Sequence, residues 1–418
     1  MMRRQLDFTA RPTKVQSGSG LLGDQHPGVN SVNAQVHSNK QRPPLSVSDL
    51  TIERIEFIPL KMPLPKTYRG SYYHMTHRCT IITRLYTRCG IVGECYNGDE
   101  FETQGEILGI LRDEIAPHLI GKSAFSPEQC WQAAVVPTYN CLRDRKLAVY
   151  AQASVDSAVW DAFGKAVGQP LHRIWGGARE SLPVIGIGGY YEEGKVLADF
   201  GTEMETLKGM GLGGAKFKVG GRSPKEDAER VRVARQAAGP EFKICVDANQ
   251  GWDLRDAIEF GNLVSQYDIM WFEEPCRWYN ERRTMADVRR ITGLRVAAGQ
   301  SEWSRAGCRD LMMEGSIDVC NYDASWGAGP TEWLRVAGMA CAFGVTMAHH
   351  EEPQVSAHLL GSILHSECLE VFHPNRDPLF YTIVANRSPF KDGRYALPQG
   401  PGWGLELDKA AIEKYTVR

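Results

Sequence analysis

Gly213-Gly-Ala-Lys-Phe-Lys-Val-Gly220 is a short run closed by glycine at each end, and it reads as a β-strand. Side chains alternate faces along a strand, so Lys216 and Lys218 share one face and Phe217 takes the other. Two ammonium groups side by side repel, which is expected to lower the pKa of at least one. A lysine held neutral near pH 7 can serve as a base. Taken alone, the run also suits a solvated edge strand with two exposed lysines. The sequence downstream decides between the two.

Asp247 stands in Val246-Asp-Ala-Asn-Gln-Gly-Trp252, Glu273 in Trp271-Phe-Glu-Glu-Pro275 and Gln300 in Ala297-Ala-Gly-Gln-Ser-Glu302, 26 and 27 residues apart. Each closes a short apolar run, and segments of helical length such as Asp253 to Gln266 and Asn280 to Thr292 lie between the runs. Strands alternating with helices predict a parallel sheet. The alternation extends both ways. Predicted strands are Leu182–Gly188, Ala215–Val219, Phe242–Asp247, Ile269–Glu273, Leu294–Gly299, Ile317–Asp323, Val345–His350 and Cys368–Phe372. Eight strands with seven intervening helices predict an α/β fold, a (β/α)7β barrel of the TIM type lacking its last helix, near the lower size limit of about 200 residues. Catalytic groups of such barrels stand at the C-terminal strand ends. Here those ends carry Lys216 and Lys218, Asp247 and Asn249, Glu273, Gln300, Asp323, His350 and Glu370.

The same set, joined by Asp323-Ala-Ser-Trp-Gly-Ala-Gly-Pro-Thr-Glu-Trp333, Met347-Ala-His-His-Glu-Glu-Pro-Gln-Val-Ser-Ala-His-Leu-Leu360 and Cys368-Leu-Glu370, resembles the enolase superfamily and, within it, the mandelate racemase group. The resemblance runs from about Thr51 to Arg418. It implies that Asp247 and Glu273 ligate one magnesium ion per subunit, with manganese as a substitute. It also implies that Lys218 is one base, its pKa lowered by Lys216. His350, oriented and charged by Asp323, would be the base on the opposite face. Glu370 would hydrogen-bond a substrate carboxylate on its way to an enediolate, Asn249 would contact the metal or a substrate oxygen, and Glu274 would support them. Removing a proton beside a carboxylate needs a fixed positive field, and oxygen ligands suit magnesium. None of the eleven cysteines forms a CxxC pair and no histidines sit at helical zinc spacing, which argues against zinc.

One position departs from the family. Its third metal ligand is usually a glutamate after glycine, whereas this chain has Gly299-Gln300-Ser301-Glu302. Gln300 offers a neutral carbonyl oxygen; Glu302 shares its parity if the strand persists and could reach in instead. Trp252, Trp303 and Trp326 follow strand ends, where they either wall the pocket or pack beneath it.

The chain is long enough, at 418 residues, for two domains and a large core. Its net charge of −2 argues against nucleic acid or a membrane surface as partner. Singly scattered cysteines fit a reducing, cytoplasmic setting, and no apolar run reaches membrane-spanning length. A homo-oligomer is expected. Residues 1–48, rich in Gly, Ser, Gln, Asn and Pro, predict disorder. Arg3, Arg4, Arg11 and Lys14 hint at a transit peptide, against which stand Asp7 and the lack of an apolar segment. Residues 49–170 read as a capping domain that opens with β-strands, 171–373 as the barrel, and 374–418 as a segment returning to the cap. A loop from Lys66 to His77 would cover the barrel mouth. Its Lys66, Tyr68, Arg69, Tyr72, Tyr73, His74 and His77 are rich in donors, which suits an anionic, polyhydroxylated substrate; Lys66, Tyr68, Arg69 and His74 are the expected contacts.

The function these readings point to is magnesium-dependent dehydration of a sugar acid to a 2-keto-3-deoxy acid. A racemase or epimerase of a 2-hydroxy acid would use the same two bases without a leaving group. A non-catalytic ligand-binding barrel is the third reading, favoured by Gln300 and opposed by Lys218, His350 and Asp323.

Overall fold

The computed structural model describes residues 45–98 and 102–418. The disorder and the transit peptide expected in residues 1–48 fall outside the described residues, except at 45–48. There the Ser46 N–H bonds Asp49 at 2.7 Å, opening a turn.

Three strands, β1 (Ile52–Arg69), β2 (His74–Thr87) and β3 (Val92–Asn97), form an antiparallel meander. β1 continues to Arg69 and β2 begins at His74, so the expected loop from Lys66 to His77 is largely the tip of a hairpin. Pro63 and Pro65 mask the alternation in the sequence. They fall in an irregular stretch of register between Pro63 and Tyr68, where a missing N–H breaks no ladder. The helix Arg145–Val167 packs across the meander and is buried along most of its length. Gly93 of β3 lies against it so closely that a Cβ would meet the Ala158 carbonyl oxygen at 2.1 Å. Gly93→Ala is therefore expected to cost about 1–3 kcal/mol through overpacking. The readout is a lower urea midpoint at an unchanged m-value.

The barrel strands are β4 (Ser181–Gly188), β5 (Gly214–Lys218), β6 (Lys243–Asp247), β7 (Ile269–Glu273), β8 (Val296–Ala298), β9 (Val319–Cys320), β10 (Thr346–Met347) and β11 (Leu369–Phe372). Strands β4 to β10 pair in parallel in chain order, and β11 pairs with β4. The ring closes where Met347 donates its N–H to the His365 carbonyl and accepts from the Glu367 N–H, each at 2.8 Å. Seven helices lie between the strands, as the alternation predicts. The second of them, Pro224–Ala238, shows why: Ser223 and Glu226 form a reciprocal capping box, and Pro224 fills the first turn.

Strands β8, β9 and β10 are shorter than predicted. Near the mouth, side chains take over the backbone hydrogen bonds and end the ladder. The Ala324 N–H bonds the His349 ring at 3.0 Å and the Ser325 N–H bonds Asp323 at 2.7 Å. Alternation then sorts the barrel interior into layers. Ile185, Cys245, Trp271, Ala297, Val319, Ala348 and Cys368 form an apolar floor. Two residues further along, the same face carries Asp247, Glu273, His350 and Glu370. The site is thus a polar layer on a dry base.

The C-terminal residues pack on both parts. The hairpin of β12 (Phe390–Lys391) and β13 (Arg394–Ala396) pairs with the start of β4, while the helix Lys409–Tyr415 lies against β1. Among the described residues, no helix is long and apolar enough to cross a membrane.

Candidate active site

The lysine strand holds its charges as its parity dictates. Lys216 and Lys218 both enter the barrel and are buried. Lys218 Nζ lies 2.7 Å from Asp247 Oδ2. Lys216 Nζ lies 2.8 Å from Glu273, 2.7 Å from Glu370 and 3.9 Å from Asp247. Register explains the pairing, because Lys218 is matched with Asp247 and Asp247 with Glu273 across the adjoining strands.

This overturns the expectation that Lys216 lowers the pKa of Lys218. Burial alone would push Lys218 down, but the Asp247 carboxylate at 2.7 Å outweighs it and holds Lys218 well above its ordinary value. Burial works against the Asp247 carboxylate too, yet Lys218 and Lys216 keep it below the usual range. Glu273 is pushed up by burial despite Lys216. The Trp271 indole of the apolar floor donates to its other oxygen at 3.0 Å.

Glu370 accepts from Lys216 and, at 3.1 Å, from the Glu351 N–H. In this structure it is an acceptor that fixes Lys216. His350 follows on directly. Its Nδ1 is 3.0 Å from Asp323 Oδ2, as expected, and its Nε2 is 3.1 Å from Glu351 Oε1. The Trp326 ring packs 4.8 Å from the imidazole, centroid to centroid, and so walls the site. Trp252 instead packs outside the barrel on Phe260 and Phe272, and Trp303 is part-exposed. An unbroken chain of polar contacts thus joins Lys218, Asp247, Lys216, Glu370, Glu351, His350 and Asp323.

Gln300 and Glu302 part company. β8 ends at Ala298, and Gly299 at φ +143° turns the chain, so the parity expected for Glu302 is lost. Glu302 pairs with Arg282 at 2.7 Å. Gln300 stays buried, its Nε2 donating to Glu274 at 2.9 Å while its carbonyl oxygen has no hydrogen-bond partner. The Asn249 side-chain amide oxygen, Oδ1, is likewise buried and unpartnered. Among the described residues no three His, Cys, Asp or Glu side chains are grouped to hold a metal. The donor set on offer is two carboxylates, Asp247 and Glu273, with the amide oxygens of Gln300 and Asn249. Oxygen donors of this kind fit a hard divalent cation that keeps positions open for substrate and water.

Gln300→Glu should tighten magnesium binding roughly tenfold by adding a charged ligand. It also sets a second carboxylate against Glu274, already pushed up by burial, so the metal-free variant should lose about 1–3 kcal/mol. Titration calorimetry and the magnesium dependence of Tm measure the two effects.

The hairpin tip departs from expectation. Because the chain is still strand at Lys66 and Tyr68, both turn to one side. They line a separate cavity of about 470 Å³ with Glu192, Lys195, Glu203 and His373. The Arg69 carbonyl accepts from the Tyr191 N–H at 2.9 Å, and both Arg69 and His74 are exposed. His77 is half-buried beside Thr76, and Tyr72 is exposed next to Arg277. The tip residues that reach the mouth are Tyr73, with Lys218 Nζ 5.9 Å from its ring centre, and Ser71, 3.5 Å from the Asn249 carbonyl. Sequence reasoning also missed Glu351 and Arg78. The doubled glutamate after His350 was the available signal for the first; nothing local marks the second.

Residues 56–176 match the mandelate racemase/muconate lactonizing enzyme N-terminal domain, and residues 199–411 match the enolase C-terminal domain-like family. The chain belongs to the mandelate racemase/muconate lactonizing enzyme family. It is 48% identical to a mandelate racemase/muconate lactonizing enzyme from a marine actinobacterium, solved in complex with magnesium; the match covers 88% of this chain and 100% of that one, with a TM-score of 0.83. Among named relatives it is 27% identical to arabinonate dehydratase of Saccharolobus solfataricus, over 81% of this chain and 91% of that protein. It is 28% identical to D-galactarolactone cycloisomerase of Agrobacterium fabrum, over 75% and 87%. Relatives at this distance include sugar-acid dehydratases, cycloisomerases and a racemase, and enolase-superfamily members bind magnesium.

Proposed function

We propose that this enzyme dehydrates a sugar acid to a 2-keto-3-deoxy acid. The observation that carries this reading is the single polar chain linking Lys218 to the His350–Asp323 pair, with a hard-cation donor set in its middle. It supplies two proton-transfer groups, Lys218 at the end of β5 and His350 after β10, both buried above the same apolar floor. Asp247, Glu273, Gln300 and Asn249 would hold magnesium, which supplies positive charge for the developing enediolate and weakens the hold of Asp247 on the Lys218 proton.

Lys216, fixed by Glu370, meets the substrate carboxylate. Lys218 takes the proton from the α-carbon. His350 gives its Nε2 proton to the β-hydroxyl, the C–O bond breaks, and water leaves. The resulting enol tautomerises to the keto acid. Tyr73 and Ser71, rather than Lys66 and Tyr68, bound the substrate on the cap side.

A library of four- to six-carbon sugar acids, assayed with magnesium for keto acids trapped by semicarbazide, tests this. At least one member should yield a keto acid. A best substrate merely inverted at the α-carbon replaces the proposal with a racemase. Ligands that bind without α-proton exchange or product replace it with a binding barrel.

A further inference from the structure

His349 and His350 are neighbours in sequence, yet their partners dictate different charges. His349 Nε2 faces the Ala324 N–H, a donor, and its Nδ1 faces the His350 carbonyl, an acceptor. Only a neutral ring with its proton on Nδ1 satisfies both. His350 faces carboxylate oxygens at both nitrogens, Asp323 at 3.0 Å and Glu351 at 3.1 Å. Ionised carboxylates only accept, so this arrangement is matched by a ring that carries hydrogen on both nitrogens, a cation.

Glu351 is not free to choose this position. Its second oxygen lies 3.1 Å from an Arg78 guanidinium nitrogen, and its own N–H bonds Glu370. Arg78 stands on β2 of the cap and is buried, with Glu352 at 2.8 Å and Asp377 at 3.4 Å on its other sides. Of the three carboxylates around Arg78 in these contacts, Glu351 is the one whose other oxygen faces the imidazole. Glu351 and Glu352 both adopt left-handed backbone, φ +51° and +50°, which non-glycine residues hold only under constraint.

We propose that Glu351, anchored by Arg78 from the cap, is a positioning residue that keeps His350 doubly protonated and so makes it the acid, not the base, of the reaction. The inference rests on the dehydratase reading. In the acid step the His350 Nε2–H bond breaks, an O–H bond forms on the departing β-hydroxyl as its C–O bond breaks, and water leaves. Glu351 remains on Arg78 and receives the imidazolium again once the ring is reprotonated from solvent. The charged and titratable groups around His350 are Asp323 after β9, His349 and Glu351 after β10, Lys216 on β5 and Glu274 after β7. Burial and Lys216 oppose the cation, while Glu351 and Asp323 together raise His350 to about 10.

The test is 15N NMR of histidine-labelled protein with magnesium bound, His350 being assigned by its loss in His350→Asn. In the wild type both His350 nitrogens should read as protonated at pH 8. In Glu351→Gln the ring should titrate at least tenfold more readily, and the alkaline limb of the kcat profile should move down in pH by the same amount. A neutral His350 at pH 8 in the wild type overturns the proposal whether or not the variant folds, and so does an unshifted titration in Glu351→Gln. If the spectra behave as expected but no sugar acid gives a keto acid, the dehydratase reading fails while the charge assignment stands.

Discussion

Lys218→Ala should lower turnover of the true substrate by about 10³-fold or more, the range expected when a general base is removed. The loss should fall on kcat, because Lys216, which Glu370 fixes, and the metal donors stay in place. The structure adds a complication that the strand pattern does not show. Lys218 is the nearest counter-charge of Asp247, which is fully buried. Removing one partner of a buried pair costs on the order of 3–5 kcal/mol when nothing replaces it. Lys216, 3.9 Å from the same carboxylate, remains as partial compensation. The variant should therefore be less stable without magnesium and recover on its addition, which a Tm series measures alongside the rates. Near-normal rates in a folded Lys218→Ala protein would end the assignment of Lys218 as the base.

His350→Asn should separate the two halves of the reaction. Keto-acid formation is expected to fall by about 10²–10⁴-fold, since the acid for the leaving hydroxyl is gone. Exchange of the α-proton with solvent deuterium should persist within roughly an order of magnitude, because Lys218 works from another strand. Asparagine can still donate to Asp323, which limits the structural damage. Proton NMR in deuterium oxide follows exchange, and semicarbazide trapping follows product. If exchange disappears together with dehydration, the roles are reversed and His350 is the base that opens the reaction.

Much of this site was legible in the chain. The Lys216-Phe217-Lys218 parity and the strand-end positions of Asp247, Glu273 and Glu370 follow from local spacing and a barrel of eight alternating units, and the pairing of His350 with Asp323 is what the family resemblance implies. Even the sort into an apolar floor and a polar layer is a consequence of period two. The readings that failed are those where local pattern was carried past its range. Parity was extended through Gly299 to Glu302, but a backbone at φ +143° ends the strand first. Prolines hide the alternation from Lys66 to His77, so the segment reads as a loop, whereas the hairpin turns its expected contacts elsewhere.

Which side chains enter the barrel follows from the chain alone, since alternation is set by neighbours along one strand. It could not determine their charge states, because charge depends on what stands across the gap. Lys218 was expected to be weakened by Lys216, two residues away. The adjacent strand instead places Asp247 at 2.7 Å, and in a buried site that opposite charge dominates. The hold of Arg78 on Glu351 spans 273 residues of sequence and joins cap to barrel. Such a contact leaves no periodic trace, and only the packed tertiary structure brings the cap's guanidinium to the carboxylate that faces His350.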